Sequence, residues 1–518
     1  MKRTFRLTLT FITLLLVVSG FIACSRRENT FTVALDTAPT LDPFRGSNAA
    51  SYRMQQLMFN TLIKKNERFE YIGELASDIQ PSADNLSYTF TLRDGVKFHD
   101  GRPLTSSDVK YTFDTLFASD ASKAASFMEG TGASKQNHIQ AVETPDARTV
   151  VMRLNKPWTE LLANLVAIPI IPPGSAANLE SAPLGSGPFR FVRKDESQQV
   201  YDLEANENYW EGAPQIKRLR VRVILDANTL QAELRSGRVD LAPNVTNFTP
   251  DAYNSLKTDA NLQVKQFPGA NVAYLSFNTQ VDPLKDARVR RAIAMAIDRE
   301  GIVRDLLLGQ AQVAHSILPQ TSWAYSDKDK IPYDPEAAKR LLDEAGFRDP
   351  DGDGPQMRFP RSLEFRILGS SVAISRYSSV IQNAVKQIGV PVDIVTMELQ
   401  ALLEAQQRGQ YQLSAGSWVG GNQDPIFLRD LFTETRFNRT KYKNPDIDRI
   451  LGEATTTTDR ERARALYTEA QSIITRDMPM LPLWYPANMI IARKSIGQIE
   501  VDPSGDWRFI RRLTIENK

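Results

Sequence analysis

Residues 88–116, "YTFTLRDGVKFHDGRPLTSSDVKYTFDTL", combine two structural patterns within one short stretch. Apolar and polar side chains alternate over 86–93, which is typical of a half-buried strand. Two Asp-Gly pairs follow, at 94–95 and 100–101, and this dipeptide is a turn signal. Polar residues then precede apolar residues at helical spacing. The stretch therefore predicts a strand, a hairpin with Asp-Gly turns, and a helix that begins near Ser106.

The same alternation of strands and helices continues on both sides. We predict strands at 30–35, 149–154, 218–224, 272–279, 363–368 and 392–397. We predict helices around Met54, Leu57, Met58 and Leu62, after residue 226, over 286–309, over 334–347, over 379–390 and over 459–478. The helix 334–347 has Asp334 as N-cap, Pro335 in its first position and Gly346 at its end. The chain is predicted to be an α/β protein with large insertions.

Composition bounds the class of protein. The chain has 518 residues, of which 42% are apolar and 24% charged, as in ordinary globular proteins, and this length predicts two or three domains. The formal net charge is +2 and would become −1 without the first 23 residues. A nearly neutral chain gives no electrostatic indication of nucleic-acid binding. The single cysteine excludes an intramolecular disulfide.

That cysteine, Cys24, stands at the end of an export-signal pattern. Lys2, Arg3 and Arg6 precede an uncharged apolar run over 7–23. "FIAC" resembles a bacterial lipobox, with the small residue Ala just before the cysteine. We expect cleavage before Cys24 and a lipid on its thiol, which would tether the protein to a membrane. The alternative is an uncleaved membrane anchor with an incidental cysteine, although 17 residues is at the short limit for a spanning helix.

Signatures of catalysis and metal binding are weak. The three histidines, His99, His138 and His315, have no metal-ligand spacing, and "GSSVA" (369–373) departs from the nucleophile-elbow motif at its last residue. "DPDGDG" (349–354) matches half of a calcium loop, but Pro360 stands where the bidentate carboxylate is needed. We therefore expect no enzyme, no metal and no cofactor, and we interpret 349–354 as an acidic turn.

A charged helix face and an irregular loop complete the residue-level expectations. Arg288, Arg291 and Arg299 are predicted to form a solvated surface of one helix. In "SWVGGNQDPIF" (417–427), Gly-Gly and Pro are expected to prevent both helix and interior strand. The loop is either a plain turn or the wall of a ligand site beside a large aromatic ring.

The stretch 88–116 resembles the signature hairpin and helix of family 5 extracellular solute-binding proteins, the receptors of oligopeptide, dipeptide and nickel ABC importers. Further matching blocks stand in the family's order: "LDPF" (41–44), "GSGPFRF" (185–191), "ANENYWEGAPQIKRLRVRVI" (205–224), "SGRVDL" (236–241), "FNTQVDPLKDARVRRAIAMAIDRE" (277–300) and "YDPEAAKRLLDEAGF" (333–347). The resemblance covers nearly the whole chain after residue 24.

The resemblance implies a type II periplasmic binding fold, in which two α/β lobes close over a ligand and a subdomain is inserted in the first lobe. The expected division is a signal peptide over 1–23, lobe I over 24–63, 186–268 and 487–518, the inserted subdomain over 64–185, and lobe II over 269–486. Hinge crossings are expected near 267–274 and 483–489.

The resemblance also places the ligand site. Peptide-binding members have Asp at the position of Gly421, and that Asp pairs with the ligand's free ammonium. The expected ligand-binding residues are Ser47, Asn48, Ser51, Ser417, Trp418, Gly421, Asn422, Asp424 and Tyr485. Plainer alternatives remain: Trp418 as a core aromatic, Asp424 as part of a structural "DP", and local capping or packing for the residues around Ser47 and for Tyr485.

The predicted function is a lipid-anchored, extracytoplasmic substrate-binding protein of an ABC importer, in the periplasm or at the cell surface. It would capture a peptide, a peptide-like compound or another small solute and act as a monomer with permease and ATPase subunits. The alternatives are a nickel-chelate or haem receptor, a sensor or chaperone-like lipoprotein of the same fold, and a secreted hydrolase, which the missing motifs disfavour.

Overall fold

The computed structural model contains two lobes, each built on its own β-sheet, and a smaller subdomain. It describes residues 30–516 except 131–134, 159, 353, 370, 421–422, 435–436 and 458. We use "lobe I" for the unit on a seven-stranded sheet, "lobe II" for the unit on a six-stranded sheet, and "inserted subdomain" for the unit on a four-stranded sheet.

Lobe I is a mixed sheet covered on both faces. Its strands, in spatial order, are β10 (Phe189–Asp195), β11 (Val200–Ala205), β12 (Arg218–Val223), β1 (Phe31–Leu35), β13 (Leu241–Pro243), β21 (Asn488–Arg493) and β14 (Leu262–Phe267). Strand β1 is parallel to β12 and β13, and the other pairs are antiparallel. Val33 and Leu35 pack into one core and Ala34 into another, because successive side chains of a strand face opposite sides.

Three helices cover the two faces of this sheet. Helix α1 (Ala49–Met58) contributes to the larger core, whereas α4 (Ala227–Arg235) and α5 (Pro250–Lys257) contribute to the smaller one. Helix α1 ends before Leu62, which was expected to belong to it, because Phe59 is already extended. Leu62 is nevertheless buried in the larger core. A short pair, β22 (Ile496–Gly497) and β23 (Thr514–Ile515), follows near the end of the chain.

The inserted subdomain shares its core with lobe I. Its antiparallel sheet has the order β4 (Ala76–Pro81), β5 (Ser87–Leu92), β9 (Thr149–Leu154), β8 (Ile139–Glu143), and its helices are α2 (Ser106–Phe117) and α3 (Leu161–Leu165). Two small hairpins pair β2 (Ile63–Lys65) with β3 (Tyr71–Gly73), and β6 (Met128–Glu129) with β7 (Gln136–Asn137). Helix α2 begins at Ser106 as predicted, where Asp108 accepts the backbone N–H of Thr105 at 2.7 Å.

Lobe II repeats the two-faced design. Its strand order is β16 (Ala311–Val313), β20 (Met480–Pro486), β15 (Val272–Phe277), β19 (Leu413–Trp418), β17 (Leu363–Leu368) and β18 (Val392–Met397). Its helices are α6 (Ala287–Met295), α7 (Arg299–Gly301), α8 (Pro335–Glu344), α9 (Val372–Lys386), α10 (Leu399–Gln407), α11 (Phe427–Phe432), α12 (Pro445–Thr456) and α13 (Arg460–Asp477). Leu275 packs with α6, α8 and α9, and Tyr274 with α11, α12 and α13.

The chain passes between the two large sheets twice, at 268–271 and at Ala487, inside the two stretches expected to contain the hinge. The Asn488 amide holds the crossings together by donating to the carbonyls of Pro268 (3.0 Å), Asp502 (3.1 Å) and Pro503 (3.1 Å). At Gly269, a Cβ atom would lie 1.9 Å from the carbonyl oxygen of Pro486. The two crossings are therefore in direct backbone contact.

The long helix expected over 286–309 is broken. Helix α6 ends at Met295, α7 begins at Arg299, and a π-helical turn follows over Ile302–Leu306. Asp298 causes the break, since its side chain accepts the N–H of Gly301 at 2.8 Å and starts a new helix. The continuous apolar period and the absence of an internal proline concealed this interruption.

Arg299 was wrongly expected to lie on a solvated face. It is only 6% exposed. Its guanidinium donates to the carbonyls of Ala314 (2.6 Å), Pro482 (2.8 Å) and Ile331 (2.8 Å). Burial lowers the pKa of Arg299 to about 10. The side chain fastens the α7 turn to β20, a role that a helical pattern alone does not reveal.

A buried lysine lies where the inserted subdomain meets helix α1. Lys123 is 7% exposed, and its ammonium donates to Gln55 Oε1 at 3.1 Å and to the Ala167 carbonyl at 2.8 Å. It also lies 4.7 Å from the centre of the Tyr52 ring. Burial lowers the pKa of Lys123 to about 7, and the charge of Asp42 offsets only part of this effect.

We expect Lys123→Met to remove a pH dependence from the stability of this junction. The folded-state pKa of about 7 lies below the ordinary value of 10.5, so the unfolded chain binds more protons between these values and stability rises with pH there. The unfolding free energy of the wild type minus that of the variant should therefore rise by about 1.4 kcal/mol per pH unit from about pH 7.5 to 9.5. Urea unfolding at several pH values measures it.

Lys110→Met is the matched control for this measurement, because Lys110 lies on α2 with its side chain 47% exposed. Its difference from wild type should stay constant with pH. A constant difference for Lys123→Met as well would contradict the prediction.

Candidate functional site

The loop at 417–427 begins inside a sheet. Strand β19 includes Ser417 and Trp418, which pair with Ala273 and Val272 of β15. The expectation that no part of this stretch forms an interior strand was therefore wrong for its first two residues. The break comes after them, where Gly420 adopts a φ of +75°. The glycines do not interrupt the sheet pairing, because they follow its last paired residue, Trp418.

Two predicted ligand contacts, Gly421 and Asn422, lie outside the described residues, and so does Cys24. Their roles stay predictions. Ser417 is placed on β19 and is exposed, and its ligand contact also stays a prediction.

Trp418 lies between three side chains. Its ring stacks on Tyr274 with centroids 5.5 Å apart, meets the edge of Phe427 at 5.1 Å, and lies 5.1 Å from the Arg439 guanidinium. The indole Nε1 is buried and has no hydrogen-bond partner among the described residues. A buried donor without a partner costs free energy. Trp418 is thus both a packed aromatic and a donor available to an acceptor that reaches it.

Asp424 uses both of its carboxylate oxygens within the protein. Oδ2 accepts the hydroxyl of Tyr71, and Oδ1 accepts the backbone N–H of Ile426 at 3.0 Å. Burial, followed by the charge of Asp424, raises the pKa of the Tyr71 hydroxyl well above its ordinary value. Burial lowers the pKa of Lys65, and Asp424 partly offsets this effect. The carboxylate therefore joins lobe II to the β2–β3 hairpin.

The residues around Ser47 form a helix cap. Asn48 is the N-cap of α1, and its Oδ1 accepts both the backbone N–H and the hydroxyl of Ser51 at 2.8 Å. The Ser51 hydroxyl oxygen in turn accepts the N–H of Thr40 at 2.9 Å, and Ser51 is fully buried. Ser47 and Asn48 are exposed. The structure accounts for the local capping role, and a ligand role for these residues stays a prediction.

Tyr485 lies in the core of lobe II. It is 2% exposed, and its hydroxyl lies 2.6 Å from the carbonyls of both Ser316 and Leu318. Burial raises the pKa of this hydroxyl well above its ordinary value. Its packing role is visible in the structure, and its predicted ligand contact stays a prediction.

Further polar contacts join lobe II to the inserted subdomain. Arg460 at the start of α13 reaches Glu70 at 2.5 Å, and Arg429 of α11 reaches Glu160. Sequence reasoning missed these residues and Tyr71, because each contact joins common surface side chains more than 250 positions apart. No local pattern indicates such a pair.

A separate group of contacts lies beside the hinge. Arg376 and Asp251 form an ion pair at 3.3 Å. The adjacent residue, Pro250, accepts from the Gln310 amide at 3.0 Å, and the Gln310 carbonyl accepts from the crossing residue Ala487 at 3.0 Å. These contacts therefore brace the hinge itself.

The described ranges contain neither a candidate metal cluster nor a candidate membrane-spanning helix. There, no group of three or more His, Cys, Asp or Glu side chains is arranged to hold a metal ion. Over the same ranges, no helix has the length and apolar character needed to cross a membrane. In the acidic stretch, Asp349 Oδ1 accepts the N–H groups of Asp351 (3.2 Å) and Gly352 (3.0 Å), as in a turn.

The sequence is similar to a family of known proteins along most of its length. The model of the bacterial extracellular solute-binding proteins, family 5 Middle, matches residues 70–439. The chain is 31% identical to heme-binding protein A of Haemophilus influenzae over 492 residues, which is 89% of this chain and 88% of that protein. It is 28% identical to the dipeptide-binding protein of Escherichia coli over 528 residues, with 95% and 96% covered.

A solved structure shows the same architecture. The oligopeptide-binding protein AppA of Bacillus subtilis, in complex with a nonapeptide, matches with a TM-score of 0.73 and 26% identity over 94% of this chain and 99% of that chain. The two-lobed type II periplasmic binding fold expected from the sequence is thereby confirmed. The chain belongs to family 5 of the bacterial extracellular solute-binding proteins, a family of receptors and not of enzymes.

Proposed function

We propose that this protein is a lipid-anchored, extracytoplasmic receptor of an ABC importer. It captures a small solute between its lobes and delivers it to permease and ATPase subunits. Cys24 carries the lipid, and the protein acts as a monomer. The domains follow the division 24–63, 186–268 and 487–518 for lobe I, 64–185 for the inserted subdomain, and 269–486 for lobe II.

The ligand we propose has no free ammonium at the position of the loop 417–427. The observation that carries this is the occupation of Asp424, the only acidic residue in the loop, by the Tyr71 hydroxyl and the Ile426 N–H. An ammonium buried beside this loop without a counter-charge would be strongly disfavoured. An uncharged or anionic ligand, such as a blocked peptide or a sugar-like compound, avoids that cost.

The unpaired Trp418 Nε1 supports the same ligand class. An uncharged or anionic oxygen is an acceptor, so it can take the buried indole N–H that has no described protein partner. The nearby Arg439 guanidinium favours negative over positive charge at this wall of the site. Gly421 and Asn422 complete the wall in this proposal.

Native mass spectrometry of the protein as purified tests the proposal, because a closed receptor can retain its ligand. We expect an added mass that corresponds to a compound without a primary amine. Retention of a peptide with a free amino terminus would contradict the proposed ligand class.

A haem receptor is the second candidate, favoured by the 31% identity to heme-binding protein A. Titration with haemin followed by visible absorption distinguishes the two candidates. A saturable spectral shift at a ratio of one haemin per chain would favour haem, and its absence would leave the small non-amine solute.

A further inference from the structure

Among the described residues, three polar side-chain contacts join lobe II to the stretch between residues 64 and 185. Tyr71 donates to Asp424, Arg460 pairs with Glu70, and Arg429 pairs with Glu160. We name these six residues the closure contacts. Glu70 and Tyr71 belong to the hairpin at β3, and Glu160 precedes α3.

The partners in lobe II come from three different elements. Asp424 lies in the loop after β19, Arg429 lies on α11, and Arg460 begins α13. Any movement that separates lobe II from the subdomain must break these contacts, because each of them exists only while its two side chains are within hydrogen-bond distance. The Arg376–Asp251 pair is different, because it adjoins the hinge, where a hinge motion moves atoms least.

The side chains of the two ion pairs are partly exposed, which limits how much each pair can stabilise the closed form. The side chains of Arg460 and Glu70 are 53% and 30% exposed, and those of Arg429 and Glu160 are 28% and 33% exposed. Ion pairs of this kind change an equilibrium constant by up to about fivefold. A hydrogen bond to a carboxylate, as at Asp424, reaches about tenfold or more.

We infer that the closure contacts set the balance between the open and closed receptor without touching the ligand. Asp424 is then a residue of lobe closure and not an anchor for a ligand amine. This inference rests on the proposed receptor function. A ligand that binds only the closed form has an apparent affinity that scales with the closed fraction, so these residues affect every ligand by the same factor.

Single-molecule Förster resonance energy transfer tests the inference, because it measures the distance between two dyes on the protein without ligand. Cys24→Ser removes the only cysteine, so Ala83→Cys in the subdomain and Ala465→Cys on α13, both exposed, can carry the two dyes. Arg460→Gln and Arg429→Gln should each lower the closed-to-open ratio by up to about fivefold. Tyr71→Phe and Asp424→Asn should each lower it about tenfold or more. Raising salt should lower it in wild type, because screening weakens the ion pairs.

Arg462→Gln is the matched control. Arg462 lies on the same helix and pairs with Glu453 at 2.8 Å with similar exposure, but entirely within lobe II. It should leave the ratio unchanged. Glu70→Arg and Arg460→Glu should each lower the closed-to-open ratio, and the double variant should restore it. Such a restoration would also show that the single variants are not simply misfolded.

Identical distance distributions in wild type and in all closure variants would overturn the inference. An equal fall of the closed-to-open ratio in Arg462→Gln would also overturn it, because the effect would then not depend on a contact between lobe II and the subdomain. Since the measurement uses neither ligand nor transporter, its failure is distinct from a failure of the proposed receptor function, which native mass spectrometry reports.

Discussion

Cys24→Ser is expected to abolish the lipid tether of the protein in the expressing cell. The basic head, the uncharged run over 7–23 and the cysteine that follows are the pattern of a lipoprotein signal. The thiol would carry the acyl chains, which partition into a bilayer at about 0.8 kcal/mol per buried CH₂. Without the thiol this contribution is lost entirely, and the protein should be either unprocessed or released.

Membrane fractionation, labelled palmitate and sensitivity of processing to globomycin measure this outcome. Ser25→Ala, at the neighbouring position, keeps the thiol and should stay attached and labelled. Equal membrane retention of Cys24→Ser, together with no palmitate on the wild type, would reject the lipid anchor. That result would favour the uncleaved membrane anchor instead.

Local signals in the sequence were sufficient for several of the longer helices and strands. Asp334, Pro335 and Gly346 bound a helix that the structure places at Pro335–Glu344, with the Asp334 side chain accepting the N–H of Ala337 at 2.8 Å. The strand predicted over 30–35 likewise corresponds to β1 at Phe31–Leu35. In these cases the residues that start, stop or pattern an element lie within it, so a short window contains the information.

The failures arise where distant groups decide the structure. Arg299 was assigned to a solvated face because its neighbours are charged, yet three carbonyls from other segments hold it inside. Trp418 was assigned to an irregular loop, yet pairing with Val272 extends the strand to it. Neither set of partners is visible in a local window, since the chain must fold before they meet.

The candidate site shows the same division. Trp418 was singled out from the sequence, and its packing against Tyr274 and Arg439 explains how the ring is held. Tyr71 and Glu70 were missed, although the structure joins them to lobe II. The Trp418 ring could therefore be singled out from one unusual loop, whereas the contacts that join lobe II to the inserted subdomain required the three-dimensional structure.

Gly421→Asp is expected to raise affinity for peptides with a free amino terminus by about a hundredfold or more. The carboxylate would supply the missing partner of the ammonium, and loss of one side of a buried charge pair typically costs about 3–5 kcal/mol. Calorimetry with trialanine and N-acetyl-trialanine measures the effect. The gain should appear only for trialanine, while the acetylated peptide should bind more weakly, because the new charge would lie beside a neutral group.

Gly421→Asn controls for the added volume, since it introduces a side chain of the same size without a charge. It should leave the ratio of the two affinities unchanged. If the asparagine variant gains as much as the aspartate variant, charge pairing is not the cause.

Asp424→Asn separates the two roles that remain open for the neighbouring carboxylate. Because Asp424 of lobe II accepts from Tyr71 of the inserted subdomain, its loss should weaken the binding of trialanine and N-acetyl-trialanine by the same factor, through closure. A selective loss of trialanine would instead make Asp424 the amine anchor. Tight binding of trialanine by the wild type that survives Asp424→Asn would mean that the charge partner of the pocket lies elsewhere in the chain, because the only acidic residue of this loop would then not be needed.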